Sequence, residues 1–317
     1  MKNDFLLINQ ILKRSGKVID NGYLLDLGKI LLIAAGADGV IAPEEMKFYL
    51  ELFEDLHTPD RVIDELKNFD WKEAKLDTYL SRVTQFDVSQ RRWLLYQSIR
   101  IVCADKIFEV RERKSTRTIG ETLGLDVQTI NAIENLAKLE HFLLKTRLQL
   151  FGSSAMDYSK PTEPCCEISV KNELLLGIKY ISRVTLMNVG KTMLIAAGAD
   201  GEIAAEELAT LLSFFRGLGG TPDMIEELKN FNWVDENIEP YCQALAEMDL
   251  TFRHRMFYIT LKVTHADRDY SAIEKIATEW IGEQLGMISS NISAIQGMVN
   301  IEHAFYDMIE NVFLKTV

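Results

Sequence analysis

Apolar residues along this chain recur three and four positions apart far more often than they alternate with polar ones, which is the period of an amphipathic helix. Read together with breakers and caps, the first half predicts helical segments near 4–14, 21–36, 42–56, 59–69, 71–85, 88–104, 110–124 and 127–150, and the second half repeats the series from about residue 171. Several starts are legible. Thr58-Pro59 and Thr221-Pro222 place a hydroxyl at the expected N-cap and proline at the first helical position, with Asp60 and Asp223 in the first turn. Gly124 and Gly286 stand where a left-handed glycine would close a helix. With only 6 prolines in 317 residues, the expected class is all-α.

The second half repeats more than periodicity. "LIAAGADGVIAPEE" at 32–45 returns as "LIAAGADGEIAAEE" at 194–207, and over 31–45 against 193–207 there are 12 identities in 15 positions at an offset of 162. The same offset carries "ELKNFDW" (65–71) onto "ELKNFNW" (227–233), "IGETLGL" (119–125) onto "IGEQLGM" (281–287), and Glu140-His141 onto Glu302-His303. Duplication of one unit of about 145 residues accounts for this. The segment "GSSAMDYSKPTEPCCE" at 152–167 reads as a linker, so the expected domains are 1–151 and 168–317, each a helical bundle.

Inside each copy a second echo appears. Asp38 precedes Glu45 by seven residues, and 67 residues on Asp105 precedes Glu112 at the same interval; Asp200 with Glu207 and Asp267 with Glu274 repeat the arrangement in the other copy. Four helix–loop–helix corners thus share Ala-Asp, a short loop, and Glu in the first turn of the next helix. The Glu has a structural explanation, since the third helical position lets a carboxylate accept from orphan amides at the positive end of the dipole, and Ser271 with Glu274 spells a capping box. The Asp sits at a helix C-terminus, where the dipole disfavours it by a few tenths of a kcal/mol. It is explained either by an Asx-turn beside a left-handed Gly39 or Gly201, or by a divalent cation, Ca²⁺ or Mg²⁺, that the two carboxylates, Glu44 or Glu206 and loop carbonyls would ligate. The alternating ligand string of an EF-hand is missing.

The "ADG…EE" string, the second Ala-Asp corner and the closing "IGETLGL" resemble the TerB family of tellurite-resistance and stress-response proteins, over nearly the whole chain as two consecutive units. The resemblance implies a compact bundle of about seven helices per unit, built from two pseudo-symmetric halves, with acidic corners that bind divalent metal. Carried over by position, it nominates Asp38, Glu44, Glu45, Asp105 and Glu112 in the first copy, and Asp200, Glu206, Glu207, Asp267 and Glu274 in the second. Two departures stand against the transfer: Asp105-Lys106 and Asp267-Arg268 replace the family's Asp-Gly, and Ala42 and Ala204 occupy the expected N-caps.

Charge narrows the remaining classes. The net charge is −12, with 22 basic against 23 acidic residues in 1–150 and 13 against 24 in the rest, which excludes a phosphate-tracking nucleic-acid surface and makes the second half an acidic one suited to cations and basic partners. No uncharged apolar run approaches about 18 residues, no signal-peptide cleavage site follows the N-terminal apolar stretch, and the 4 cysteines form neither a disulfide framework nor a zinc spacing, so a cytoplasmic protein without membrane insertion is expected. "VGKT" at 189–192 lacks the upstream glycine of a phosphate-binding loop, and its counterpart "LGKI" at 27–30 assigns the pair to the repeated helix. Lys29 and Lys191 could lean toward the corners or simply be solvated, and His265, beside Asp267, is a further nitrogen donor. His141 and His303 read as packing residues, as do Trp71, Tyr79, Phe86, Trp93, Trp233 and Tyr241. No nucleophile–base pairing is visible. The expectation is therefore a non-enzymatic, metal-binding interaction module with protein partners, or the same scaffold without metal; the assembly state is left open by the sequence.

Overall fold

The computed structural model describes residues 20–83, 86–104, 110–151, 165–167 and 180–314. Among these, everything regular is α-helix apart from one turn of 3-10 helix (Gly36–Asp38) and two strands, β1 (Cys165–Glu167) and β2 (Tyr180–Ser182), paired antiparallel with Cys166 opposite Ile181. The all-α expectation holds. The first series is α1 (Asn21–Ala35), α2 (Pro43–Asp55), α3 (Asp60–Lys67), α4 (Leu76–Val83), α5 (Val88–Val102), α6 (Val110–Thr122) and α7 (Val127–Phe151). The second is α8 (Arg183–Ala197), α9 (Ala205–Gly217), α10 (Pro222–Lys229), α11 (Glu239–Ala246), α12 (Leu250–Thr264), α13 (Ala272–Gln284) and α14 (Ser289–Leu314). Six of these begin 162 residues after their counterparts, and α11 begins one residue later than that offset. The expected segments at 4–14 and from about 171 lie outside the described residues.

Local chemistry agrees with most of the expected ends and corrects two starts. Asp20, Asp87, Ser182 and Asp249 each cap a helix through the side chain. Gly124 (φ 71°) and Gly286 (φ 70°) adopt the left-handed conformation that ends α6 and α13. At α10 Pro222 is the first helical residue, but the Thr221 hydroxyl bonds to the Asp223 carboxylate instead of a backbone amide. At α3 the helix begins one residue later, with Pro59 as N-cap, and the buried Thr58 hydroxyl has no hydrogen-bond partner. The segment expected at 71–85 is helical only from Leu76. Its start is given up because Trp71 turns inward onto Gly36: a Cβ there would lie 2.2 Å from the indole, as would one at Gly198, 2.3 Å from Trp233. Glycine at these positions lets a tryptophan close the end of the central helix.

Two compact units result: residues 1–142 with 304–317, and residues 143–303. In the first, α1 is central and packs against α3, α4, α5 and α6, burying Leu24, Leu27, Ile30, Leu31 and Ala34. In the second, α8 does the same against α9 to α13. The units do not follow the sequence boundaries at 151 and 168. The division falls inside the two long helices, so the last part of α7 belongs to unit 2 and the last part of α14 to unit 1. In unit 1, Phe313 from the end of α14 packs on Tyr96, ring centroids 5.3 Å apart, and Arg92 Nη1 donates to the Val312 carbonyl at 2.8 Å. In unit 2, Phe151 from the end of α7 packs on Tyr258 at 5.2 Å, and Arg255 Nη2 donates to the Phe151 carbonyl at 2.7 Å.

The recurrence of Glu140 and Glu302 is explained in the same places. Tyr96 Oη and Arg100 Nη2 donate to Glu140 at 2.9 and 2.7 Å; Tyr258 Oη, Lys262 Nζ and Arg147 Nη2 donate to the buried Glu302 at 2.7, 3.2 and 2.5 Å. A buried carboxylate needs such donors, since unpaired burial costs several kcal/mol.

Phe313→Ala should remove a fully buried ring from unit 1 and cost about 3 kcal/mol. Hydrogen exchange by mass spectrometry should show faster exchange along α5, with α12 in unit 2 unchanged.

Candidate functional site

The three described corners share an Asp that folds back on its loop. At the first corner of each series the central helix ends under its tryptophan, the Asp follows, and Gly39 (φ 109°) or Gly201 (φ 105°) reverses the chain; the third corner follows α12. The Asp then closes an Asx-turn: Asp38 Oδ1 accepts from Val40 N at 2.9 Å, Asp200 Oδ1 from Glu202 N at 3.2 Å, and Asp267 Oδ1 from Asp269 N at 2.9 Å. At the third corner Arg268 takes the left-handed conformation, φ 72°, in the place where glycine is absent. Asp105 lies outside the described residues.

The Glu of each corner is buried, and at α2, α9 and α13 it is also the helix cap. Glu45 Oε2 accepts from Ala42 N at 2.7 Å and Glu207 Oε2 from Ala204 N at 2.9 Å, half of a capping box because alanine supplies no return acceptor. Glu274 Oε2 accepts from Ser271 N at 2.7 Å while Ser271 Oγ accepts from Glu274 N at 3.1 Å, the complete reciprocal box. Glu112 is buried on α6, the helix that packs against the Gly36–Asp38 turn. Glu44 and Glu206 are exposed. Cap and Asx-turn therefore account for one oxygen each of Asp38, Asp200, Asp267, Glu45, Glu207 and Glu274.

The second oxygen is where the corners meet. In unit 2 Glu207 is 2 % exposed and Glu274 3 %, and the two carboxyls stand within hydrogen-bonding range of each other. Glu207 Oε1 is buried without an N–H or O–H donor. Burial is the main force that pushes the Glu207 carboxyl up to about 8; the Ala204 amide opposes it, and the negative charges of Glu274 and Asp267 add to it. Glu274 is also raised, chiefly by burial and further by the charge of Asp200. One carboxyl from α9 and one from α13 thus face each other, with an Asp of either corner in electrostatic reach. Among the described residues no three His, Cys, Asp or Glu side chains are grouped so as to ligate one ion, so what is assembled is a pair with neighbours.

Other nominated groups are engaged elsewhere. Lys29 Nζ pairs with Glu65 at 2.9 Å and lies 5.5 Å from the Phe69 ring and 5.9 Å from that of Tyr79, and Lys191 stands over Phe231 and Tyr241 at 5.1 and 5.5 Å. Neither the corner nor bulk solvent holds these lysines. His265 is buried, stacked on Tyr270 at 3.8 Å, with Nδ1 2.8 Å from the Leu261 carbonyl and Nε2 3.2 Å from Asn300 Oδ1. Gly190 of "VGKT" lies within α8 against Leu228. The Glu207–Glu274 contact was legible only indirectly: the sequence marks the corners, but which corner faces which is set by how α9 and α13 pack around α8.

Residues 24–135 match the family described as Tellurite resistance protein TerB, a span that covers most of α1 and runs into α7. No curated protein and no solved structure matches the chain. No helix among the described residues is long and apolar enough to cross a membrane.

In metal-free buffer, a carboxyl raised in the folded state binds more protons folded than unfolded between the two pKa values, so its contribution to stability is complete below the unfolded value and is lost as pH rises toward about 8. The melting temperature should therefore fall as pH rises from the ordinary carboxyl range to about 8 and level off above it. Glu207→Gln, which keeps the Ala204 bond, should flatten that slope, as read by differential scanning calorimetry.

Proposed function

We propose that this chain is a non-enzymatic protein of two TerB-like units that binds a divalent cation at its paired acidic corners and presents helical faces to partner proteins, in a tellurite-resistance-like or metal-stress response. The family match at 24–135 supports the class for the first unit; the 162-residue recurrence extends it to the second. The observation that carries the cation reading is the buried pair Glu207–Glu274. The charges that act on them, Glu274 and Asp267 on one and Asp200 on the other, are negative, and Glu207 Oε1 has no donor.

A hard cation takes oxygen ligands, and here Glu207 and Glu274 would hold it, with Asp200 and Asp267, loop carbonyls and water completing the shell. The cation would supply the positive charge that relieves two carboxylates in a low-dielectric site. Asp38, Glu45 and Glu112 form the corresponding set of unit 1 among the described residues; Glu44 and Glu206, being exposed, lie on the solvent side of their helices. Ca²⁺ and Mg²⁺ fit the all-oxygen donor set best.

A second reading has its own support: the Asp side chains are satisfied by loop amides, the Glu side chains by N-cap amides, and one shared proton can join the two carboxyls without metal. The corners are then purely structural caps of a metal-free interaction scaffold. Isothermal titration with Ca²⁺, Mg²⁺, Mn²⁺ and Zn²⁺ at about pH 8, where the shared proton is weakly held, separates the two. The cation reading expects saturable heat with at least one ion, its loss in Glu207→Gln/Glu274→Gln, and a melting temperature that rises with ion concentration. Absence of heat with all four leaves the proton-sharing scaffold.

A further inference from the structure

Helix α13 has two faces with opposite fates. Glu274, Thr278, Ile281 and Gly282 point into unit 2, whereas Ile273, Ile276 and Trp280, spaced three and four apart on one stripe, are 55 %, 67 % and 36 % exposed. Its counterpart α6 is an internal control. Residues 111–120 and 273–282 show the same burial class at every one of their positions, and Glu112, Thr116, Ile119 and Gly120 repeat the buried set. The outward set does not repeat: Arg111, Lys114 and Thr118 stand where α13 carries Ile273, Ile276 and Trp280. The same surface of the same fold is therefore built without apolar residues in one copy, so packing of the bundle does not require them in the other. A β-branched pair and a tryptophan held in water on one helix stripe is the composition of a contact surface.

We propose that the outward face of α13 docks a partner protein through an amphipathic helix whose apolar stripe is flanked by lysine and arginine. Charge selects that occupant. Glu279 and Glu283 border the stripe, with Lys275 the one basic neighbour on α13, and the second half of the chain carries 13 basic against 24 acidic residues. That field attracts a cationic helix and repels an anionic membrane surface. A second copy docked about a two-fold axis would bring Glu279 and Glu283 of both chains to one interface, against the same field. The proposal rests on the interaction half of the reading above and is independent of its cation half.

The test uses the full chain and a fluorescein-labelled model peptide of leucine and lysine at helical i, i+3 and i+4 spacing, with a leucine–glutamate peptide of the same pattern as control. Fluorescence anisotropy should show saturable binding of the lysine peptide. Binding should weaken about tenfold or more in Ile273→Gln/Ile276→Gln/Trp280→Thr, and measurably in Glu279→Gln/Glu283→Gln, at a temperature where circular dichroism shows each variant as folded as the wild type. The glutamate peptide should not bind, and chelator should alter none of this, whatever the calorimetry with metal ions returns. Equal binding by the triple variant, or equal binding of the glutamate peptide, overturns the proposal. So does a wild-type chain that self-associates in multi-angle light scattering and becomes monomeric in the triple variant, since the occupant is then a second copy.

Discussion

A helix that starts inside a protein leaves amide groups without partners, and they must be satisfied where they lie. Here glutamate does this at the third helical position of α2, α9 and α13. The solution fixes the loop, because the cap, the Asx-turn and the left-handed glycine together determine the path from one helix to the next. It also carries a carboxylate into the core at each start. Where α9 and α13 come together around α8, two such groups meet, and the site is a consequence of the capping scheme. Other starts avoid this concentration of charge: at α5 the neutral Gln90 takes the third position opposite Asp87, and at α12 Asp249 caps from the N-cap alone.

Much of the fold was readable because helical periodicity, capping chemistry and an internal repeat pointed the same way. The positions of α1 to α3 and α5 to α7, the left-handed Gly124 and Gly286, and the Asx-turns at Asp38 and Asp200 follow from residue type and spacing. What escaped depends on distant partners. Trp71 looks like part of a helix and is withdrawn from it by Gly36, thirty-five residues earlier. Thr58 and Thr221 have the form of N-caps, yet their hydroxyls are drawn elsewhere or left alone. Of the ten nominated site residues, Glu207 and Glu274 are brought together with Asp200 and Asp267 beside them, while Glu44 and Glu206, one helical position earlier than the capping Glu, are outside. Lys29 and Lys191 could be related to the corners along one helix, but only the tertiary structure reveals the aromatic rings that hold them.

The two series have kept the inside and changed the outside. Tyr96, Arg100 and Glu140 correspond to Tyr258, Lys262 and Glu302, and the buried faces of α6 and α13 match residue for residue in exposure. Exposed positions are free of that constraint: α6 is basic where α13 is apolar. A helix series that recurs along one chain can in this way hold one architecture while offering two chemically different surfaces.

The division of α7 and α14 between the units has a consequence for how the chain matures. The segment that places Phe313 on Tyr96 belongs to the first bundle, yet it is made only after the whole of residues 143–303. During synthesis the ring that covers Tyr96 arrives only once residue 313 has been added, so completing this bundle belongs to the slow, long-range class of folding steps, and any arrest of translation before residue 304 leaves it without that wedge.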